Sequence, residues 1–478
     1  MCGIIFLAGP RAEARIRGCL ERIRHRGPDD QNVWAEDEVA LGFARLAING
    51  AGLLGRQPYG HRDLIGAING EIYNYAALGA SHALDPSTCD AHVVLPLFDR
   101  LGPRVIDKLD GFYAGVVLRR LTHEVLCLRD HMGKKPLFVG RSEGEIFIAS
   151  ELKAFDNVEW FEPLPRGVST VDIQSGHAVP IAGHQAVTPQ QDLARLLQAA
   201  VHKRMPAADQ PLGVFLSGGL DSSIVAAFVS REREEATYFT LGDPDGPDRQ
   251  AVESLRGSLR LRDVRFVPLP VRERIRELLR RVVYATESFN PSIVSNGLAT
   301  FLLAEAAHDA GIKVVLTGEG ADEMFGGYHV FGPDDPWHDV RAQLIDDMHL
   351  TELRRLDMSS MAHSVEARCP FLDRAVRGFS DGLQFQDLYD DGDNKVTLRR
   401  CFEDVLPPDV LHRRKTSFDV GSGLRGEVVQ YLRRRGESER QELLGIWKQH
   451  FSFDASRPYF HAYPVFDEAI DRRGAGHR

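Results

Sequence analysis

Val214-Phe215-Leu216-Ser217-Gly218-Gly219-Leu220-Asp221-Ser222-Ser223 decides how this chain is read. Gly213 to Leu216 is a short apolar run, the pattern of a buried parallel strand, and Ser222 to Ser230 carries Ile224, Val225, Ala226, Ala227 and Phe228, the pattern of the helix that follows it. The residues between them form a strand-to-helix turn. Two glycines let the backbone bend sharply, so that successive N–H groups face outward at a helix N-terminus, where the peptide dipoles favour an anion. Ser217, Ser222 and Ser223 add hydroxyl donors. Asp221 would be repelled by bare phosphate and suits a Mg²⁺ ligand better. The expected ligand is therefore a magnesium polyphosphate.

Outward from this loop, strand-like runs at Gly213 to Leu216, Thr237 to Leu241, Val264 to Val267 and Lys313 to Leu316 alternate with helical patterns near 222–231, 248–260, 271–286 and 298–310. Such alternation predicts a parallel sheet with helices on both faces and a ligand beyond the carboxyl ends of the strands. The patterns G-x-x-x-x-G-K-[ST] and G-x-G-x-x-G are absent from the turn, which excludes the common P-loop and dinucleotide-binding readings. A second glycine-rich loop, Thr317-Gly318-Glu319-Gly320-Ala321-Asp322-Glu323-Met324-Phe325-Gly326-Gly327-Tyr328, leaves the strand that ends at Leu316.

The first loop resembles the S-G-G-x-D-S loop of the PP-loop ATP pyrophosphatases. The second resembles the G-E-G-A-D-E segment of glutamine-hydrolysing asparagine synthetases and β-lactam synthetases. The resemblance implies ATP and Mg²⁺ as cofactors, with ATP against Leu216, Ser217, Gly218, Gly219, Asp221, Ser222, Leu241, Gly318 and Glu319, and the metal on Asp221 and Asp322. Leu241 is expected beside the adenine. Glu319 is expected to face the acceptor carbonyl, and Lys415, in Arg413-Arg414-Lys415-Thr416-Ser417-Phe418, to oppose the charge that adenylation builds on the phosphates. Glu366 and Arg368, within Ser364-Val365-Glu366-Ala367-Arg368-Cys369-Pro370-Phe371-Leu372-Asp373, are expected to frame the acceptor site.

The chain opens Met1-Cys2-Gly3-Ile4-Ile5. Methionine before a small residue is usually removed, which would leave Cys2 with a thiol and a free α-amine on one carbon. An α-amine titrates at about 7.7 to 8.0, so roughly a tenth is free base at neutral pH, and one residue can supply nucleophile and base. Further stretches follow in order: Arg24-His25-Arg26-Gly27-Pro28-Asp29, Leu41-Gly42 to Ile48, Asn69-Gly70-Glu71-Ile72-Tyr73-Asn74-Tyr75, and Asp90 after Ser87-Thr88-Cys89. They resemble the glutaminase domain of class II amidotransferases, an N-terminal-nucleophile fold of four layers, α-β-β-α. By that resemblance Cys2 is catalytic, Arg45 pairs with the α-carboxylate of glutamine, Asp90 with its α-ammonium, and Glu71 lies beside them. Asn69 and Gly70 would form the oxyanion hole. An Asn-Gly hairpin turn at 69–70 is the alternative reading of that stretch.

Weak periodicity from Val171 to Pro189 suits a last strand and a linker, and helical pattern resumes at Gln190. The expected domains are residues 1–187, glutaminase, and 188–478, an asparagine-synthetase-like, amide-forming α/β domain. Hydrophobic content of 43% and charged content of 26% over 478 residues suit a folded two-domain protein. A net charge of −10 argues against nucleic acid as the main partner. Six cysteines without a C-x-x-C pair suggest a reducing compartment. No run reaches the roughly 18 apolar residues of a membrane span, and the first residues lack the pattern of a signal peptide, so a cytoplasmic location is expected. The expected partners are glutamine, ATP and a carboxylic acid such as aspartate, with neither nucleic acid nor membrane, and a homodimer is left open.

Together these residues point to a glutamine-dependent, AMP-forming amidotransferase that passes ammonia within one chain, most simply converting aspartate to asparagine. Two alternatives stand beside it: amidation of another acid, and intramolecular amide closure as in β-lactam synthetases. Where many asparagine synthetases carry a T-T-I-R-A-S-T-P run, this chain has Pro291-Ser292-Ile293-Val294-Ser295-Asn296-Gly297, with Ser295 in place of the arginine. Serine cannot pair bidentately with an α-carboxylate.

Overall fold

The computed structural model describes residues 2–50, 52–84, 89–189, 191–242, 246–328, 331–390, 392–433 and 438–461. Met1, Ser87, Thr88, Gln190 and much of the stretch beyond residue 430 lie outside them, so the expectations placed there concern undescribed residues. Two compact units divide the chain. The first comprises residues 1–186, 360–366 and 448–453; the second comprises the rest. Both units thus draw on chain beyond a single boundary at 187.

The first unit is built on two six-stranded sheets. One has the spatial order Val158–Pro163, Phe138–Ser142, Glu145–Ala149, Gly3–Ala8, Val39–Arg45, Asp30–Glu36; the other runs Ala178–Ala182, Gly167–Val171, Glu124–Arg129, Gly111–Arg119, Leu64–Ile72, Tyr59–His61. Strand residues alternate between faces. Ile4, Phe6 and Ala8 meet Ala67, Ala114, Val116 and Leu118 in a core between the sheets, while Leu64, Ile68 and Ile72 face Val94, Leu95 and Phe98 of helix Val94–Leu101 on the outside. Helix Ala12–Arg22 covers the first sheet, with Ile16 and Leu20 buried. The layers are α-β-β-α, as expected.

In the second unit Asp263–Val267, Thr237–Leu241, Leu212–Phe215 and Val314–Leu316 pair in parallel, in that order, and Glu366–Arg368 forms the far edge. The first four are the strands read from apolar runs, within a residue or two. The fifth was not expected, because three residues are too few to show a period. Helix Pro291–Asp309 starts seven residues before the expected 298, since the Asn290 side chain accepts from Ser292 N (3.0 Å) and Pro291 occupies the first turn. Asp192 caps helix Leu193–His202 by the same device. Among the described residues no helix is long and apolar enough to cross a membrane.

Candidate active sites

Cys2 stands just before strand Gly3–Ala8 and Asn69 in the middle of Leu64–Ile72, a continuous nine-residue strand that excludes the hairpin-turn reading of Asn69-Gly70. The backbone N–H of Cys2 donates to Asn69 Oδ1 at 2.8 Å. Asn69 is wholly buried, and its Nδ2 has no hydrogen-bond partner among the described residues. Gly70 can be nothing but glycine: its φ is +147°, and a Cβ would lie 2.0 Å from the Phe112 carbonyl oxygen.

A cavity of about 30 Å³ adjoins Cys2, lined also by Arg45, Gln57, Gly70, Glu71, Asp90 and Glu366. The Arg45 guanidinium donates to the carbonyl oxygens of Gly52 (2.7 Å), Asn49 (3.3 Å) and Gly50, and to no carboxylate among the described residues. Asp90 accepts from Ile72 N at 2.9 Å, and Glu71 accepts from the Asn49 amide. One cation without an acidic partner facing these carboxylates is the complement of an amino-acid zwitterion.

Burial pushes the Cys2 thiol up, and the charges of Glu366 and Asp90 push the same way. A thiol so placed needs a base to become a nucleophile. Behind Cys2, Arg26 Nε donates to the Cys2 carbonyl (3.0 Å) and Arg26 Nη1 to Glu151 (2.6 Å), which also holds Lys153 (2.7 Å) and His25 (2.9 Å). Burial would raise Glu151, but Lys153, His25 and Arg26 together hold it well below the usual carboxylate range. This network fixes the backbone on which the thiol rides.

The second unit holds a cavity of about 190 Å³ at the carboxyl ends of its parallel strands. The first glycine-rich loop is tied together by its serines: Ser217 Oγ lies 3.1 Å from Ser222 Oγ and accepts from Gly219 N at 3.3 Å, while Ser223 Oγ donates to Gly219 O at 2.7 Å. Helix Leu220–Glu232 begins directly after. The second loop presses against the first at Gly318, where a Cβ would lie 2.7 Å from Ser222 N. Asp221 and Asp322 are thereby brought to one ammonium. Lys395 Nζ lies 2.6 and 2.7 Å from the Asp221 oxygens and 2.5 Å from Asp322 Oδ1, and Lys415 Nζ lies 2.5 Å from Asp322 Oδ2.

Burial pushes Asp221 up against the pull of Lys395. It acts on Asp322 too, but there Lys395 and Lys415 prevail and hold it at about 2. Two carboxylates that share a cation have the donor chemistry that suits Mg²⁺, which takes one or two protein carboxylates and completes its shell from phosphate and water.

Ser217, Gly219, Asp221, Ser222, Gly318, Glu319, Asp322 and Lys415 all line this cavity. Leu216 and Leu241 do not: their side chains are 0% and 1% exposed, packed in the sheet core, and Gly218 backs onto Ala251. Glu366 and Arg368 do not frame it either. Glu366 lines the Cys2 cavity, and Arg368 donates to the Arg204 carbonyl at 2.9 Å. Sequence reasoning passed over Lys395, Arg399, Arg413, Glu352 and Arg355. Lys395 stands at φ +54°, just before helix Val396–Cys401, where a lysine announces nothing locally. Glu352 and Arg355 sit three apart on a helix and read as an ordinary surface pair.

The family model described as glutamine amidotransferase domain matches residues 1–175, and the one described as asparagine synthase matches 192–346 and 333–455. Asparagine synthetase B (glutamine-hydrolyzing) of Escherichia coli K12 is 32% identical over 439 residues, covering 84% of this chain and 78% of that protein. Asparagine synthetase (glutamine-hydrolyzing) 2 of Oryza sativa subsp. japonica is 32% identical over 469 residues, covering 88% and 78%. A solved glutamine phosphoribosylpyrophosphate amidotransferase from B. subtilis covers 88% of this chain and 100% of its own at 16% identity, with a TM-score of 0.35 that bears no weight.

Proposed function

The chain belongs to the glutamine-hydrolysing asparagine synthetase family, and from that premise we propose that its two cavities carry the two halves of one amide synthesis. It is an ATP-using carbon-nitrogen ligase that draws on glutamine. In the proposed division, residues 1–187 supply most of the glutaminase and 188–478 most of the synthetase. The observation that carries the reading is the meeting of Asp221, Asp322, Lys395 and Lys415 beside the Ser217–Ser222 loop, in a chain that also sets Cys2 against Asn69.

In the first cavity Arg45 and Asp90 hold the two charged ends of glutamine, and Glu71 adds to the hold on its ammonium. With Met1 removed, the α-amine of Cys2 takes the thiol proton, and sulfur attacks the side-chain amide carbon. Asn69 Nδ2 and the Gly70 N–H receive the oxyanion, the α-ammonium returns its proton to the amide nitrogen, ammonia leaves as the C–N bond breaks, and water frees glutamate from the thioester. In the second cavity the loop donors hold the polyphosphate, and a magnesium ion on Asp221 and Asp322 would offset the charge on it. Lys395 and Lys415 add fixed cations there as a carboxylate becomes an acyl-adenylate and pyrophosphate departs. Glu319 takes the proton that ammonia sheds on attacking the acyl carbon.

The simplest acceptor is aspartate, whose side-chain amide is the asparagine of the relatives' names. Amidation of a different acid is the second reading, favoured by Ser295, whose hydroxyl donates to the buried carboxylate of Asp419 at 2.5 Å and offers no cation to a second carboxylate. The test of the division is Cys2→Ala. Glutamine-dependent turnover should disappear while ammonia-supported pyrophosphate release continues, and loss of both would show that the two activities are not separate.

A further inference from the structure

Three acidic side chains line the Cys2 cavity, and they reach it by different routes. Glu71 belongs to strand Leu64–Ile72, and Asp90 accepts from Ile72 N at the end of the same strand. Asn49 ties this group to the cation, since its amide donates to Glu71 and its carbonyl accepts from Arg45 at 3.3 Å. Glu366 arrives from elsewhere. It closes the stretch 360–366, which packs in the first unit although it lies far beyond residue 187. Two residues earlier, the Ser364 hydroxyl donates to the His25 carbonyl at 2.6 Å, and the neighbouring Arg26 holds the Cys2 carbonyl through Nε at 3.0 Å. The segment that delivers Glu366 is therefore moored on the turn Arg24–Arg26, the same turn that grips the main chain of Cys2. Glu366 is 2% exposed, and its charge weighs on the Cys2 thiol ahead of that of Asp90.

A nucleophile and its base on one carbon set an electrostatic problem. Once the thiol proton has passed to the α-amine, a positive charge sits in a buried place, where a charge without a counter-charge is costly. An ammonium has three hydrogens to place, and Asn69 Oδ1, 2.8 Å from the Cys2 nitrogen, is a neutral acceptor for one. Asp90 and Glu71 are taken by the ammonium of glutamine, and Glu151 is already shared among Arg26, Lys153 and His25.

We propose that Glu366 faces the α-amine of Cys2 and steadies it as an ammonium during the attack on glutamine, a positioning residue lent to the glutaminase by the second half of the chain. This rests on the reading given above in which Met1 is removed and Cys2 acts as its own base. The α-amine takes the thiol proton while sulfur bonds to the amide carbon and the C=O electron pair moves onto oxygen. The ammonium then gives that proton to the amide nitrogen as the C–N bond breaks, and the amine is free again for the water that cleaves the thioester. Glu366 takes no proton at any step, in the manner of the aspartate behind a catalytic histidine. The amine and thiol lose their first proton as a pair, and a carboxylate beside them makes that proton harder to remove. Around the pair stand Arg45, Glu71, Asp90, Cys89 and Glu366 on the cavity, with Arg26, Glu151, His25 and Lys153 behind it.

The pH profile of glutamate release from glutamine by the full-length protein tests this. Glu366→Gln should move the acidic limb of kcat/KM at least about half a pH unit lower, and Glu366→Asp, which keeps the charge, should bring it back at least halfway. Glu366→Met removes the same charge in a shape that suits burial and carries the test if Glu366→Gln does not fold, with the melting temperature as the check on each variant. A limb that stays in place or moves to higher pH overturns the assignment. Inactivity of all three variants at every pH overturns it too, because Glu366 would then only support the fold. Met1 retained in active protein by mass spectrometry, or glutamate release that survives Cys2→Ala, overturns the Cys2 mechanism itself and the role of Glu366 with it.

Discussion

Asn69 commits one end of its side-chain amide to the Cys2 backbone and leaves the other end free among the described residues, so in the proposed glutaminase a single residue would fix the nucleophile's position and offer a donor to the charge that the nucleophile creates. Asn69→Ala should lower the kcat of glutamine hydrolysis by about 10²–10³ with a lesser change in KM; a change confined to KM in steady-state assays would assign Asn69 to substrate binding instead. Lys395 has the corresponding place in the other unit. Lys395→Met leaves Asp221 buried without its closest cation, and pyrophosphate release should fall at least about a hundredfold. Urea unfolding should show a loss on the order of 3 kcal/mol, the usual size for breaking a buried pair. A variant of unchanged stability and activity would mean the ammonium is dispensable. That Cys2, Arg45 and Asp90 would meet, and Asp221 and Asp322 likewise, was legible because motifs of fixed spacing carry them. Lys395 was not, since its partners lie more than 70 residues away along the chain.

Strand Leu64–Ile72 carries three residues of the proposed glutaminase site in succession, Asn69, Gly70 and Glu71, and alternation sends them to different surroundings. Gly70→Ala should break the pairing of this strand with Gly111–Arg119, because the added methyl would meet the Phe112 carbonyl and the φ of +147° would become strained. The expected cost is at least about 3 kcal/mol, read as a lowered first transition in calorimetry; an unperturbed melt would show that the strand can shift aside. Parallel strands were easy to place from sequence because each is a continuous apolar run buried on both faces. Strand Glu366–Arg368 escaped notice because its sheet position comes from the backbone, Thr317 N donating to Arg368 O at 3.0 Å, while two of its three residues are charged. The early start of helix Pro291–Asp309 was written in Asn290-Pro291, a cap and first-turn signal overshadowed by the polar residues that follow.

Global stability should carry the imprint of Glu323. Burial, then the charges of Asp322, Glu352 and Glu319, push it up to about 8, against an unfolded carboxyl near 4.5. A group raised in this way favours the folded state fully below the unfolded value and loses that contribution as pH climbs through the folded one. Stability should therefore decline between about pH 4.5 and 8. Glu323→Gln, which keeps an acceptor for Tyr328, should raise the melting temperature at pH 8 by at least about 2 °C and leave it nearly unchanged at pH 5; equal curves at both would show Glu323 ionised throughout. The interleaved chain has one more consequence. Ser364 donates to the His25 carbonyl at 2.6 Å, the Phe453 ring lies 6.0 Å from that of Phe161, and Glu366 lines the Cys2 cavity, so three separated stretches of gene are inherited as one working module. A chimaera joined at the linker from two parents would marry each Cys2 thiol to a stranger's carboxylate, and recombination should succeed more often when crossovers also transplant codons 360–366 and 448–453.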